Sequence, residues 1–208
     1  LEVGTSGQIA KDAALGRPAV RAKFLQLWLS SFERTNPVSL ARLDQIVGEE
    51  KRRAIMELSM LSWVPIELDI EIVDAVAQVL GKPQFREFTR AYVSEIMPRA
   101  PLGALIDLGT KMIGVSPESF LRWWDKGWRA VYRDCGTARG IVSDATHGRI
   151  IYEKLPRACV QSEAFVDAIV STSYAVYAWT GQRGSARIAT FIRDEGYLEL
   201  KLEWGARS

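Results

Sequence analysis

The apolar residues of this 208-residue chain change period near Gly136, and that switch limits the fold more than any other feature. Before it, hydrophobic positions recur every three to four residues, as in helices packed by one face. After it come short β-branched runs and a closing segment, "YLELKLEW". There Leu198, Leu200, Leu202 and Trp204 alternate with Glu199, Lys201 and Glu203, so one face of a strand is solvated. The pattern predicts an α+β protein, with an N-terminal helical layer followed by a small antiparallel ββαββ unit. We read residues 1–208 as a single domain, with a helical part over 1–136 and the ββαββ part over 137–208. A chain of this length can bury a full core without disulfide or metal staples.

Local signals place the elements. Val20, Phe24, Leu27, Trp28 and Phe32 share a helical face that Asn36-Pro37 closes. Ser39 can cap a short helix that Gly48 stops, and "EEKRRAIMELSML" resumes the pattern. Trp63-Val64-Pro65 is a boundary, since proline disfavours helix at the residue before it. The next helix keeps Ile66, Ile70, Val73, Ala77 and Leu80 inward and ends at Gly81. Its carboxylates Glu67, Asp69, Glu71 and Asp74 read as the solvent face. Further helices are expected from Phe85 to Met97 and from Leu102 to Ile113. Ser116-Pro117-Glu118 opens another, with cap, first-turn proline and acid in order. Beyond Gly136, "ARGIVSD" and "RIIYEKLP" form a hairpin, a helix spans about 162–180, and a second hairpin turns at Asp194-Glu195-Gly196.

The stretch "SFLRWWDKGWRAVYRDCG", residues 119–136, raises the question of a stacking surface. On a helical wheel Trp124, Trp128, Val131 and Tyr132 fall within roughly 120°, while Arg122, Lys126, Arg129 and Arg133 share an arc of roughly 60°. Rings and cations therefore occupy different faces, whereas a base-stacking platform interleaves them. Trp124 and Trp128 are expected in the core, with Trp123 and Tyr132 at its margin, where a ring can line a pocket. The four cations are either a solvated face or an interaction strip for an acidic protein partner.

Residues 168–182 carry no charge at all. A helix that is apolar nearly all round must be covered all round, by the rest of the chain, by a ligand or by a second copy. Tyr174 and Tyr177 are its candidate ligand contacts and Trp179 its candidate interaction residue. The expected association is a homodimer, because this helix needs cover on its far side and the last strand would present an open edge.

Other chemistry is thinly represented. No phosphate loop, dinucleotide fingerprint or nucleophile elbow is present. Cys135, Cys159 and His147 match no metal-ligand spacing, and His147 falls at a hairpin tip, so no metal, cofactor or catalytic residue is assigned. Two cysteines suit a reducing cytoplasmic setting. The net charge of +2 supplies no global pull toward nucleic acid, and no apolar run is long enough for integral membrane association.

The element order, together with "WVPIELDIEIVDAVAQVLG", "SPESFLRWWDKGWRAVYRDCG" and "YLELKLEW", resembles one particular superfamily. It groups haem nitric-oxide-binding domains, vinyl-reductase-type small-molecule-binding domains and TRAPP-subunit-like proteins, and it includes a mainly myxobacterial family of unknown function. The resemblance covers Trp63 to Trp204 and implies sensing or scaffolding, often as dimers. It carries over no ligand residue. A haem-binding member needs a proximal histidine on a helix, and the vinyl-reductase-type cysteine clusters are absent. The sequence thus favours a non-catalytic ligand-sensing or scaffold module that takes an apolar small molecule. Two alternatives stand beside it: a small enzyme or lipid-handling protein with a pocket between the two aromatic-rich helices, and weak nucleic-acid binding through the basic stripe.

Overall fold

The computed structural model describes Ile9, residues 16–96 and residues 116–205. The helix expected over Leu102–Ile113 lies outside the described residues. The architecture is α+β, with helices first and an antiparallel ββαββ unit after them.

A strand nevertheless comes before the first long helix. β1 (Ala19–Arg21) runs directly into α1 (Ala22–Thr35), whose buried face carries Leu25, Trp28, Leu29 and Phe32. α2 (Leu40–Val47) ends at Gly48, and α3 (Glu49–Met56) follows with two acids in its first turn. Trp63–Pro65, predicted as a helix boundary, is a second strand, β2. It passes straight into α4 (Ile66–Leu80), which stops at Gly81 as expected, and α5 spans Lys82–Ile96.

The helix predicted over residues 117–135 is not continuous. Ser116 opens α6 (Pro117–Arg122) with a reciprocal capping box to Ser119. The chain then breaks at Trp123, α7 runs only over Trp124–Val131, and Tyr132–Arg133 form β3. The helical part therefore contains a three-stranded antiparallel sheet of order β2-β1-β3, with Val20 opposite both Val64 and Tyr132. Its strands are two or three residues long, too short to show a period of two, which is why the sequence did not announce them.

β4 (Thr137–Val142) and β5 (His147–Glu153) make the first hairpin of the second half. Three helices follow in place of the one expected: α8 (Arg157–Gln161), α9 (Glu163–Ser173) and α10 (Ala175–Thr180). β6 (Arg183–Ile192) and β7 (Tyr197–Gly205) complete a four-stranded antiparallel sheet of order β4-β5-β7-β6. β7 is thus an inner strand; the expectation that it would offer an open edge is corrected, because β6 folds back along its outer side. The edges are β4 and β6, and β6 leaves Ile188 and Ile192 exposed.

The alternation in β7 holds as predicted. Leu198, Leu200, Leu202 and Trp204 are buried, while Arg149–Glu199 and Lys201–Glu203 ion pairs cover the outer face. Two glycines let helices approach the inner face. A Cβ at Gly140 would fall on the Leu121 carbonyl of α6, and one at Gly184 on the Tyr177 ring of α10. One continuous apolar core joins Leu25, Phe32 and Ile72 of the helical layer to Ile150, Leu198 and Leu200 of the sheet.

Candidate functional site

The site begins with a residue that the sequence placed on the wrong face. On α4, Asp69 lies three residues after Ile66 and four before Val73, inside the apolar stripe. The solvent-face expectation holds for Glu67 and Asp74, and Glu71 pairs at the surface with Lys51 at 2.6 Å. It fails for Asp69, which is only 6% exposed. Among the described residues its Oδ2 has no hydrogen-bond partner. Loss of water therefore acts unopposed, and burial pushes the carboxyl up to about 7.

Phenols and thiols from several elements feel the charge of this carboxyl. From α5 comes Tyr92, whose hydroxyl donates to the Phe24 carbonyl at 3.2 Å and whose ring meets Trp28 edge-on at 5.0 Å. From β3 comes Tyr132, 4.3 Å from the Trp128 ring and 6.1 Å from Phe165. Burial raises both phenols above their ordinary range, with the Asp69 charge adding to the effect. Cys135, after β3, is pushed up to about 12, and Cys159 of α8 is raised further, again chiefly by burial and then by neighbouring negative charge that includes Asp69. All four groups hold their protons at neutral pH, and both thiols are free and buried. The indole Nε1 atoms of Trp28 and Trp128 are also buried without acceptors.

Tyr132 is half-buried, and loss of water is the largest cause of its raised phenol. Asp69 and Tyr92 are buried, and the Asp69 charge reaches the phenols of Tyr92 and of Tyr132, whose ring packs on Trp128.

The other ligand contacts expected from the sequence do not join it. Tyr177 is buried beneath β6 and donates to the Ser185 carbonyl at 2.5 Å. Tyr174 lies under the Arg90 guanidinium at 3.9 Å. Trp123 is 41% exposed, with the Lys126 ammonium 3.9 Å above its ring. Trp179 packs on Phe120 at 5.2 Å. The far side of the uncharged segment is covered within the chain, where α9 packs on α4 and α5, and α10 on α5 and α6.

The basic stripe is dispersed by the break at Trp123. Arg129 pairs with Asp125, Lys126 sits on Trp123, and Arg133 enters β3 with its guanidinium 4.9 Å from the Trp63 ring. Arg122 lies in the last turn of α6, and Lys126 and Arg129 lie on α7.

His147 opens β5 beside a shallow surface hollow that Arg183, Glu203 and Trp204 also line. The sequence gave it no orienting partner, but the structure does: its Nδ1 is 2.8 Å from Asp144 Oδ1. The Thr146 backbone N–H and His147 hold the Asp144 carboxyl down to about 2. Among the described residues no three His, Cys, Asp or Glu side chains converge as metal ligands, and no helix is long and apolar enough to cross a membrane.

No family model matches the chain, and no curated protein matches it. The fold itself has clear counterparts. An oxygen-binding H-NOX domain related to soluble guanylate cyclases aligns with a TM-score of 0.61 at 12% identity, over 89% of this chain and 95% of that one. A mutant of T. tengcongensis H-NOX gives 0.62 at 12%, over 89% and 98%. A Cs H-NOX carrying 4-cyano-L-phenylalanine gives 0.62 at 13%, over 89% and 97%. The chain has the H-NOX fold, and the superfamily resemblance read from its sequence holds at that level.

Proposed function

We propose that this protein is a non-catalytic sensing domain that binds a small molecule in its interior, beside Asp69 and Tyr132. The observation that carries this reading is the Asp69 carboxylate oxygen, buried and without a donor among the described residues. An unpartnered buried acceptor costs about 1–3 kcal/mol, and more when charged, so a fold that keeps one calls for a functional reason. The H-NOX fold supports the same reading, since an H-NOX domain of that architecture is an oxygen binder. In the reading, residues 1–208 act as one unit whose two halves share the site.

Haem distortion is a theme of the H-NOX structures, so the fit of a haem bears on the ligand. The described residues do not suit a haem held by imidazole. The only histidine of the chain, His147, lies on the hairpin of the four-stranded sheet, partly exposed and tied to Asp144. Burial raises Tyr92, Tyr132, Cys135 and Cys159, so each would have to give up a strongly held proton to bind iron as an anion. Haem titrated into the wild type and into His147→Ala should give the same broad absorbance. A sharp Soret band present in the wild type and lost only in the variant would overturn this.

Native mass spectrometry of freshly purified protein tests the sensing reading. The expected result is a one-to-one adduct of a small molecule that collisional activation removes. Bare polypeptide mass under the gentlest conditions, with no thermal shift from any member of a small-molecule library, would defeat it.

A further inference from the structure

We propose that the free edge of β6 docks an extended acidic segment of a partner protein, which adds to the four-stranded sheet as its next strand. The inference goes beyond the sensing reading and stands independently of it.

The two edges of that sheet differ. α6 and α7 pack against β4, whose last three residues are half-buried. β6 has β7 as its one strand partner among the described residues, and eight of its ten residues are exposed. Its large aliphatic side chains share that exposure, Ile188 at 42% and Ile192 at 40%. A register shift between Ile188 and Thr190 interrupts the ladder, so the regular edge is the run from Arg183 to Ile188. Open backbone groups along such an edge are a template for another strand.

Strand register fixes which side chains the added strand meets. Arg149, Lys201 and Arg187 stand opposite one another in a row across β5, β7 and β6, on the outer face of the sheet. The acids beside this row are already engaged: Arg149 meets Glu199 at 3.3 Å, and Lys201 meets Glu203 at 3.1 Å. Arg187 ends the row at the open edge and has no ion pair among the described residues. The same is true of Arg183, four positions earlier on the same face. Gly184, Ala186 and Ile188 alternate with these cations and belong to the inner face, opposite Trp204, Leu202 and Leu200.

An added strand sets one residue opposite Arg187 and another opposite Arg183, with facing Cβ atoms about 5 Å apart. The complementary segment therefore carries acids four residues apart, a polar residue midway opposite Ser185, and apolar residues between them. Either strand direction gives this pattern, because side chains alternate with a period of two in both. A second copy of β6 does not fit. Its charges are Arg183 and Arg187, and it has no acid to set against them. Like charges facing each other weaken a strand pair, so these cations disfavour self-pairing and favour an acidic occupant.

The test is fluorescence anisotropy with a labelled peptide in which glutamate and valine alternate, titrated into the intact chain. Saturable binding is expected, and reversing both cations (Arg183→Glu with Arg187→Glu) should weaken it about tenfold or more. A peptide with lysine in place of glutamate should bind the reversed variant and not the wild type, which also shows that the variant folds. Two further peptides, one N-methylated at every valine and the other at every glutamate, separate strand pairing from charge attraction. The N–H groups of each set point to one side of a strand, so one peptide should lose about tenfold or more in affinity and the other should keep it. Loss in both, or in neither, would overturn strand addition. Failure of the acidic peptide to bind, or equal binding by wild type and reversed variant, would refute the docking site. Sedimentation of the wild type with and without peptide is the last arm. A dimer that the peptide dissociates would give this edge to a second copy and overturn the acidic partner; a monomer that takes up one peptide supports it.

Discussion

Asp69→Asn should leave the folded protein more stable than the wild type at pH 8 and remove most of the pH dependence of its stability between pH 4 and pH 8. The carboxyl is raised from 3.8 to about 7 in the folded chain. Between those values the folded state holds a proton that the unfolded state has lost, so wild-type stability falls as pH rises. The loss is complete above pH 7. A shift of about three pH units corresponds to about 4 kcal/mol, and full burial leaves little solvent to screen it. Asparagine keeps the shape and removes the charge. Urea melts at pH 5 and pH 8 check this: the wild type should lose stability over that interval and the variant should not. Parallel profiles for the two proteins would mean that Asp69 is solvated or paired in solution.

Trp128→Ala should cost about 3–5 kcal/mol, the range for emptying a large aromatic site in a core. Trp128 is 8% exposed and bridges two halves of the interior, packing on Tyr132 at 4.3 Å and on Tyr152 at 5.1 Å. Its unpartnered Nε1 subtracts from what the ring contributes, so Trp128→Phe, which deletes that N–H, should cost less than about 1.5 kcal/mol. Trp123→Ala is the contrast, since that ring is 41% exposed and should change stability by no more than about 0.5 kcal/mol. Equilibrium denaturation of the three variants orders them. A loss below about 1 kcal/mol for Trp128→Ala would show that its ring faces solvent and would restore the stacking-surface reading of this segment.

The parts of the fold that were legible in the sequence are those with a long repeat. α4 and α1 carry several turns of apolar spacing, and β7 carries four alternations, so both kinds of element stood out. The hairpins and the helix start at Ser116 followed from turn and cap chemistry, and Ser116 does accept from the backbone three residues on; Ser162 caps its helix in the same way, though no cap was read there. The break at Trp123 was hidden because the wheel places residues 120–132 on one axis, and Trp123 closes α6 without a proline or glycine to mark it. The candidate site was half legible. Tyr132 was picked out as a ring at the margin of an apolar face, and it is half-buried against Trp128. Asp69 was missed because it sits in a run of four acids, three of which do face solvent or the surface. Its spacing of three and four from Ile66 and Val73 was the available signal, and charge outweighed it.

The small sheet β2-β1-β3 has a consequence for how the chain reaches its native state. Val20 lies against Val64 on one side and Tyr132 on the other, so strands far apart along the chain must meet before either ladder exists. Three helices issue from or enter that sheet without a linker: α1 from β1, α4 from β2, and α7 into β3. Local helices can form early, yet their mutual arrangement stays open until the sheet closes. Closing so large a loop carries an entropic cost before any contact rewards it. Folding should therefore be slow for a chain so rich in helix. Tyr132, on the last strand to arrive, would take its place beside Asp69 only in the final assembly of that sheet.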